Sequence, residues 1–190
     1  MNVTKYKTKY LYLITLSYFI LAFLNITFAL LALVCMAVPF ILLFKNREKT
    51  WCTNYCPRVD YFSLFRIFKT GFKIPKWFTD ERLKKFVFQY FCINVFFIIM
   101  STVMVSRGNF APIDNIRFLI AFEIPGTLPQ LWTPVELPAA IIHLSYRLYS
   151  IMFTSSVLGT LLAILFKPRT WCVVCPINTL STGFLRSQKK

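Results

Sequence analysis

The sequence holds a single histidine, His143, and only seven acidic residues among 190. One histidine excludes a haem held by two histidines of the same chain. Walker loops, dinucleotide fingerprints, HExxH helices and nucleophile elbows are all missing. Phosphate-loop hydrolysis, Rossmann-type dinucleotide binding, zinc-peptidase chemistry and serine-hydrolase chemistry therefore have no residues to rest on. Asp, Glu, Lys and Arg are also missing from the long apolar runs Leu11–Phe44, Phe86–Val105 and Leu148–Phe166. That weakens a transporter built on parallel repeats, which needs ionisable groups within the membrane.

What is present is apolar. The chain is 57% hydrophobic with 21 Phe, and its mean hydropathy is +0.59. Runs of about 20 apolar residues mark transmembrane helices, so the composition implies an integral membrane protein of the all-α class. Leu11–Phe44 is 34 residues long. As one helix it would run about 51 Å, against a hydrocarbon core of about 30 Å. Asn25 in "LNIT" is the polar residue near its middle, and a hairpin there is the preferred reading over one long helix. The expected architecture is a single membrane domain over residues 1–190, a helical bundle of about four transmembrane helices. The spans lie near 10–24, 28–44, 86–105 and 148–166, with a cytoplasmic loop at 45–85 and an outer loop at 107–147. The run after Lys9 is too long for a signal-peptide core and no small-residue cleavage site follows, so the chain reads as mature and entire. The sequons at Asn2 and Asn25 read as chance.

Charge orients this bundle. With both termini cytoplasmic, 19 of the 22 basic residues fall inside, from Lys5, Lys7 and Lys9 to Lys189 and Lys190. The outer loop keeps Arg107, Arg117 and Arg147 against Asp114, Glu123 and Glu136. The whole excess of +15 then lies on one face, as the positive-inside rule expects. Topology and anionic lipid explain that charge better than nucleic acid does. Trp51 and Trp171 fall at the inner interface and Trp132 suits the outer one. Pro39 removes a helix bond near the inner end of the second span and is expected to kink it.

One phrase occurs twice. Residues 41–57 contain "ILLFKNREKTWCTNYCP" and residues 163–176 contain "AILFKPRTWCVVCP". Each reads apolar helix, Phe, Lys, basic residue, Thr, Trp, Cys, a short gap, Cys, Pro. Each Cys pair hangs below a helix descending to the same side, so two parallel repeats would bring the pairs together about a pseudo-twofold axis normal to the membrane.

Cys52, Cys56, Cys172 and Cys175 are the candidate ligands. Cys35 and Cys92 lie inside apolar spans and read as small packing residues. Three readings compete for the quartet. Disulfides suit a reducing cytoplasmic face poorly. Four thiolates fit zinc, whose usual role is to hold a small soluble module together. An iron–sulfur cluster takes the same ligands, and a Cys-Pro step commonly closes a ferredoxin ligand run. Four cysteines match the four irons of [4Fe–4S], the favoured cofactor. Pro57 suits the first position of a helix, and the following "RVDYFSLFRIFK" puts Tyr61, Leu64, Phe65 and Phe68 on one face of an interfacial amphipathic helix. The start of that helix would aim N–H groups at an anionic cluster. Nearby positive charge should raise the potential of the cluster.

At these motifs the chain resembles the membrane iron–sulfur proteins typified by NapH and the membrane part of NosR, carried by Cys52, Cys56, Pro57, Cys172, Cys175 and Pro176. It is also similar, over nearly its full length, to short clostridial-type 4Fe–4S-binding membrane chains with TWC…CP at both places. The resemblance implies helices ending in repeated Cys-x-x-x-Cys-Pro motifs on one face and a place in quinol-linked electron transfer. Two departures stand out. The second pair is Cys-x-x-Cys, and the sequence ends 15 residues after Cys175, with no soluble ferredoxin segment. One cluster at the inner surface gives no electron route across about 30 Å of hydrocarbon.

The expected function is a multi-pass electron-transfer protein of the cell membrane, a component of an oxidoreductase system rather than a self-sufficient enzyme. Its expected partners are the lipid bilayer, an acidic ferredoxin or flavodoxin drawn by the basic face, and a membrane redox subunit or quinone. The alternative is a structural or assembly protein with a four-cysteine zinc site. His143 reads as an interfacial histidine with a local hydrogen bond in preference to a quinone contact. Glu123 and Glu136 are too separated in sequence to be read as a catalytic pair. Asn94 and Thr154-Ser155-Ser156 read as polar groups joining helices.

Overall fold

The computed structural model describes residues 10–65, 74–119, 122–124, 130–131 and 137–188. Lys5, Lys7, Lys9, Arg66, Phe68, Lys69, Lys73, Trp132, Glu136, Lys189 and Lys190 lie outside the described residues. In chain order the helices are α1 (Tyr12–Leu24), α2 (Leu31–Asn46), α3 (Pro57–Leu64), α4 (Glu81–Ser106), α5 (Ala139–Leu165), α6 (Thr170–Val174) and α7 (Pro176–Ser187). A two-stranded antiparallel pair is the departure from an all-α fold: β1 (Arg117–Phe118) and β2 (Phe122–Glu123), with Arg117 opposite Glu123.

The first apolar run breaks at Asn25. Its backbone is extended (φ −150°, ψ 123°), and its side chain accepts from the Thr27 N–H at 2.9 Å. That caps a short 3-10 turn, Ile26–Leu30, which leads into α2. Asparagine is suited to this because its short amide replaces the helix partner that the first N–H groups lack. α2 runs on through Pro39.

Three stretches are long and apolar enough to cross a membrane: Ile26–Asn46, Glu81–Ser106 and Ala139–Leu165. α1, at 13 residues, spans only about 20 Å and falls short of the first of the four expected spans, at 10–24. α4 begins five residues before the expected span and α5 nine residues before it, because backbone hydrogen bonding carries a helix past the apolar core of its sequence. Ile20, Val34, Ile41, Phe44, Phe86, Phe96, Ile99 and Leu161 are exposed. A surface this apolar is consistent with contact to lipid rather than water.

The described residues form two compact units. The first holds residues 10–15, 35–65, 74–89 and 158–188; the second holds 16–34, 90–119, 122–124, 130–131 and 137–157. α1 and α4 begin in the first unit and end in the second; α2 and α5 do the reverse.

In the second unit, Ala22, Ile26, Ala29, Ile116, Tyr146 and Tyr149 form the core, with Phe19 edge-on to Tyr149. The segment before and through β1 lies along α5. The Ile113 N–H donates to His143 Nδ1 (3.2 Å), the Arg117 N–H to Ser150 Oγ (3.1 Å), and the Leu119 N–H to Thr154 Oγ1 (3.3 Å). His143, Ser150 and Thr154 share a face at helical spacing. The expectation that Thr154 joins helices is thus corrected: it holds a loop, whose N–H groups the β pair leaves unsatisfied. With Nδ1 accepting, His143 Nε2 carries the proton and donates to Ser101 Oγ at 3.0 Å. The ring is buried and both nitrogens are occupied, which is the local-hydrogen-bond reading of this histidine.

In the first unit, α3 ends at Leu64 and buries Phe62 completely. This differs from the expected apolar face, since Leu64 is exposed and Tyr61 packs edge-on to Phe65 at 5.4 Å. The cause is Gly159 of α5. A Cβ there would run into the Phe62 ring, with Cε1 only 2.7 Å away. Glycine opens the notch that receives the ring. Asp60 of α3 also accepts from the Tyr12 N–H at 3.1 Å, tying α3 to the start of α1. Gly159→Ala is expected to destabilise the fold by about 1–3 kcal/mol, read by thermal unfolding. Adding Phe62→Leu should recover part of the loss; no recovery would show that the notch is not the cause.

Candidate functional site

Both cysteine pairs belong to the first unit, each on an arm that follows a long helix. α2 ends in a left-handed residue, Arg47 (φ 50°), whose N–H donates to Leu43 O at 2.9 Å. This is the usual way to stop a helix and turn the chain, here without glycine. After α5, Thr170 makes the turn: its hydroxyl accepts from the Lys167 N–H at 3.2 Å, and its own N–H donates to Lys167 O at 2.9 Å. Thr170 is fully buried, which accounts for a threonine before the Trp-Cys step.

The unequal spacing has a direct structural counterpart. Trp51–Tyr55, which carries the three-residue gap, forms a π-helical turn. Thr170–Val174, which carries the two-residue gap, forms the α-helical turn α6. A π turn accommodates one extra residue per turn, so the insertion is absorbed within the turn. Both arms then converge on one geometry. Cys56 (φ −72°, ψ 107°) and Cys175 (φ −59°, ψ 126°) are extended, as a residue before proline must be. Pro57 and Pro176 open α3 and α7, so each second cysteine stands at the cap position of a helix.

The sulfurs feel one another. Burial pushes the Cys52 thiol up to about 11, with Cys175 and Cys56 adding repulsion and Lys49 opposing it. Burial pushes Cys172 up to about 12, with Cys56, Cys175 and Cys52 adding to it and Arg169 opposing. Cys56 is raised chiefly by burial, while the backbone N–H groups of Val59 and Arg58, with the Arg58 guanidinium, pull the other way. Those amides face the sulfur without meeting hydrogen-bond geometry at the cap. All six cysteines are free thiols, with Cys92 exposed and Cys35 half-buried. Among the described residues, no three His, Cys, Asp or Glu stand close enough to grip a single metal ion. Cys52 and Cys172 each lie within electrostatic reach of Cys56 and Cys175, so the four thiols are neighbours. Four soft donors, a helix start facing one of them and nearby Lys49, Arg58 and Arg169 fit a polynuclear anionic group bound through sulfur.

Three residues not singled out by the sequence tie the arms together. Asn178 on α7 donates from Nδ2 to the Cys172 carbonyl at 2.8 Å and accepts at Oδ1 from Lys49 Nζ at 3.1 Å. Lys49 also donates to Thr182 Oγ1 at 2.6 Å. Asn178 and Thr182 are one helical turn apart, so one ammonium from the first repeat grips α7 of the second. The signal available in the sequence was weak: a polar i, i+4 pair on the helix after the second Cys-Pro. Trp51 and Trp171 are half-buried here, and the Trp171 indole N–H is buried with no partner among the described residues. Asn178→Leu should cost about 1–3 kcal/mol, because it leaves the Lys49 head and the Cys172 carbonyl short of partners. Thermal unfolding monitored by circular dichroism reads this, and an unchanged midpoint would show that the bridge carries no weight.

A family model described as "4Fe-4S binding domain" matches residues 28–75 and 150–190. These segments contain both cysteine pairs, α2 and α3 on either side of the first, and the later part of α5 with α7 on either side of the second. No curated protein and no solved structure matches the chain. The match supports an iron–sulfur-binding family, with a [4Fe–4S] cluster as the cofactor.

Proposed function

We propose that this chain is a membrane-bound electron-transfer protein in which Cys52, Cys56, Cys172 and Cys175 hold one [4Fe–4S] cluster at the cytoplasmic face. The carrying observation is the meeting of the two Cys-Pro arms in one unit, where Cys52 and Cys172 both feel Cys56 and Cys175, inside the two segments that the 4Fe–4S family matches. When bound, such a cluster supplies one-electron redox chemistry. The protein's residues do the rest. The cysteines present sulfur, and Cys52, Cys56 and Cys172, whose thiols burial raises, release protons on binding. The first N–H groups of α3 and the cations Lys49, Arg58 and Arg169 offset the negative charge that reduction adds.

The membrane reading rests on the three long apolar helices and on the exposed apolar side chains. Four crossings with both ends of the chain inside remain the preferred topology. The placement of the basic residues supports it, with α1 as a short, thinly spanning helix. The basic face suits an acidic ferredoxin or flavodoxin as donor. The resemblance to NapH and the membrane part of NosR supports a quinol-linked system with a membrane redox subunit or quinone as the other partner.

Anaerobic purification with iron, sulfide and zinc analysis tests the proposal. About four irons and four sulfides per chain and an EPR signal on reduction are expected. About one zinc, no sulfide and no reducible signal would replace it with the structural zinc reading. Cys172→Ser should abolish the signal and Cys35→Ser should leave it. Lys49→Met removes a positive charge beside Cys52, disfavours the more negative reduced state, and is expected to lower the midpoint potential. A charge effect of about 1.4 kcal/mol would appear as about 60 mV for one electron. A raised or unchanged potential would remove Lys49 from the electrostatics of the site.

A further inference from the structure

The first unit carries an apolar groove that the cluster reading does not use. Phe40, Leu43 and Phe44 of α2, Phe88 of α4, and Leu180 and Phe184 of α7 line it, all within that unit. It holds about 400 Å³, toward the lower end of the range of ligand sites, roughly 300–1,000 Å³. Phe44 stands edge-on to Phe184 at 5.0 Å and closes one wall. Gly183 also lines it, from the middle of α7. Glycine weakens a helix interior, and no packing contact calls for it here. Among the described residues, nothing lies within 4 Å of where its Cβ would stand. At Gly159 the missing Cβ makes room for Phe62; at Gly183 the room opens on the groove.

The lining restricts the chemistry of an occupant. Thr179 and Ser187 bring hydroxyls to the groove, and both protons are spent, on the Cys175 carbonyl at 3.2 Å and the Phe184 carbonyl at 2.8 Å. A ligand that needs hydrogen-bond donors would be left short there, whereas a hydrocarbon chain loses nothing. Charge sits at one end. Arg186, beside Ser187, pairs with Glu81 at 3.4 Å. Lys84 lies one turn after Glu81 and one turn before Phe88 on the same face of α4, between that ion pair and the groove. Its ammonium has neither a hydrogen bond nor an ion pair among the described residues. The helix ends around the groove bring Lys45, Arg47, Arg82, Lys84, Lys85 and Arg186 against Glu48, Asp80 and Glu81. Asp60, the other acid of this unit, accepts from the Tyr12 N–H. The parts of this unit outside the described residues, 1–9, 66–73 and 189–190, contain no acid. The mouth is therefore basic, which matches an anionic headgroup of the cytoplasmic leaflet.

We propose that the groove between α2, α4 and α7 holds one anionic phospholipid, with an acyl chain against Gly183 and the phosphate at Lys84. The proposal rests on the membrane reading of this chain and is independent of the cluster.

The test uses the full chain reconstituted in vesicles of phosphatidylglycerol and phosphatidylcholine in equal amounts, then extracted in detergent and washed. Native mass spectrometry counts the lipid retained per chain, and phosphatidylglycerol is expected to be held in preference to phosphatidylcholine. Gly183→Leu fills the notch and should lower retention of both lipids on the order of tenfold. Lys84→Gln should lower retention of phosphatidylglycerol on the order of tenfold and leave phosphatidylcholine unchanged, so that the preference is lost. Lys76→Gln removes an exposed cation that does not line the groove and should change neither. Retention by Gly183→Leu equal to that of the unaltered chain overturns the proposal, as does an equal effect of Lys84→Gln and Lys76→Gln. A retained quinone or a second copy of the chain in place of phospholipid also overturns it. Flotation separates this proposal from the membrane reading. A chain that does not float with the vesicles fails both; one that floats and retains no lipid fails the proposal alone. If Gly183→Leu does not fold, Lys84→Gln decides, and an unchanged preference for phosphatidylglycerol overturns the proposal.

Discussion

Proline after cysteine is the constraint on which the cysteine-bearing unit depends. Its ring denies the preceding residue the helical backbone, so Cys56 and Cys175 must leave the turn that carries the first cysteine of each pair. The same ring is preset for the first position of a helix. Each Cys-Pro step thus ends one turn, starts another helix, and leaves the thiol at the cap. At Cys56 the amides of Arg58 and Val59 consequently face the sulfur.

That local device works only if the arms are held. Two contacts do this within the unit. Phe62 of α3 fills the notch at Gly159 of α5, fixing the helix that follows the first pair onto the helix that precedes the second. Lys49 grips Asn178 and Thr182 on α7, while Asn178 reaches the Cys172 carbonyl. One contact is apolar and steric, the other polar. Both link the segment of the first cysteine pair to that of the second, despite their different turns. A π turn on one side and an α turn on the other give the two halves unequal shapes, and the asymmetry is local to the residues between the cysteines.

The second unit solves a different problem. A loop of extended backbone lies along an apolar helix, and some of its N–H groups find their partners there. His143, Ser150 and Thr154 supply them from one face of α5. Polar residues in an apolar helix therefore serve loop backbone here.

The sequence by itself determined the helical class, the break at Asn25, the four cysteines and the helix starts at Pro57 and Pro176. Each follows from short-range rules: apolar run length, an asparagine cap, the stereochemistry of proline. It also marked the cofactor class, because thiolate number and Cys-Pro spacing are themselves chemical statements. Only the tertiary structure decided that Phe62, rather than the face of Tyr61, Leu64 and Phe65, is the buried side of α3. A periodicity reading cannot see a glycine a hundred residues away. Lys49, Asn178 and Thr182 were hidden for the same reason, since a hydrogen bond between repeats has no signature within either one. The short α1 and the early starts of α4 and α5 were likewise set by where backbone hydrogen bonding and packing continue, which apolar runs alone do not reveal.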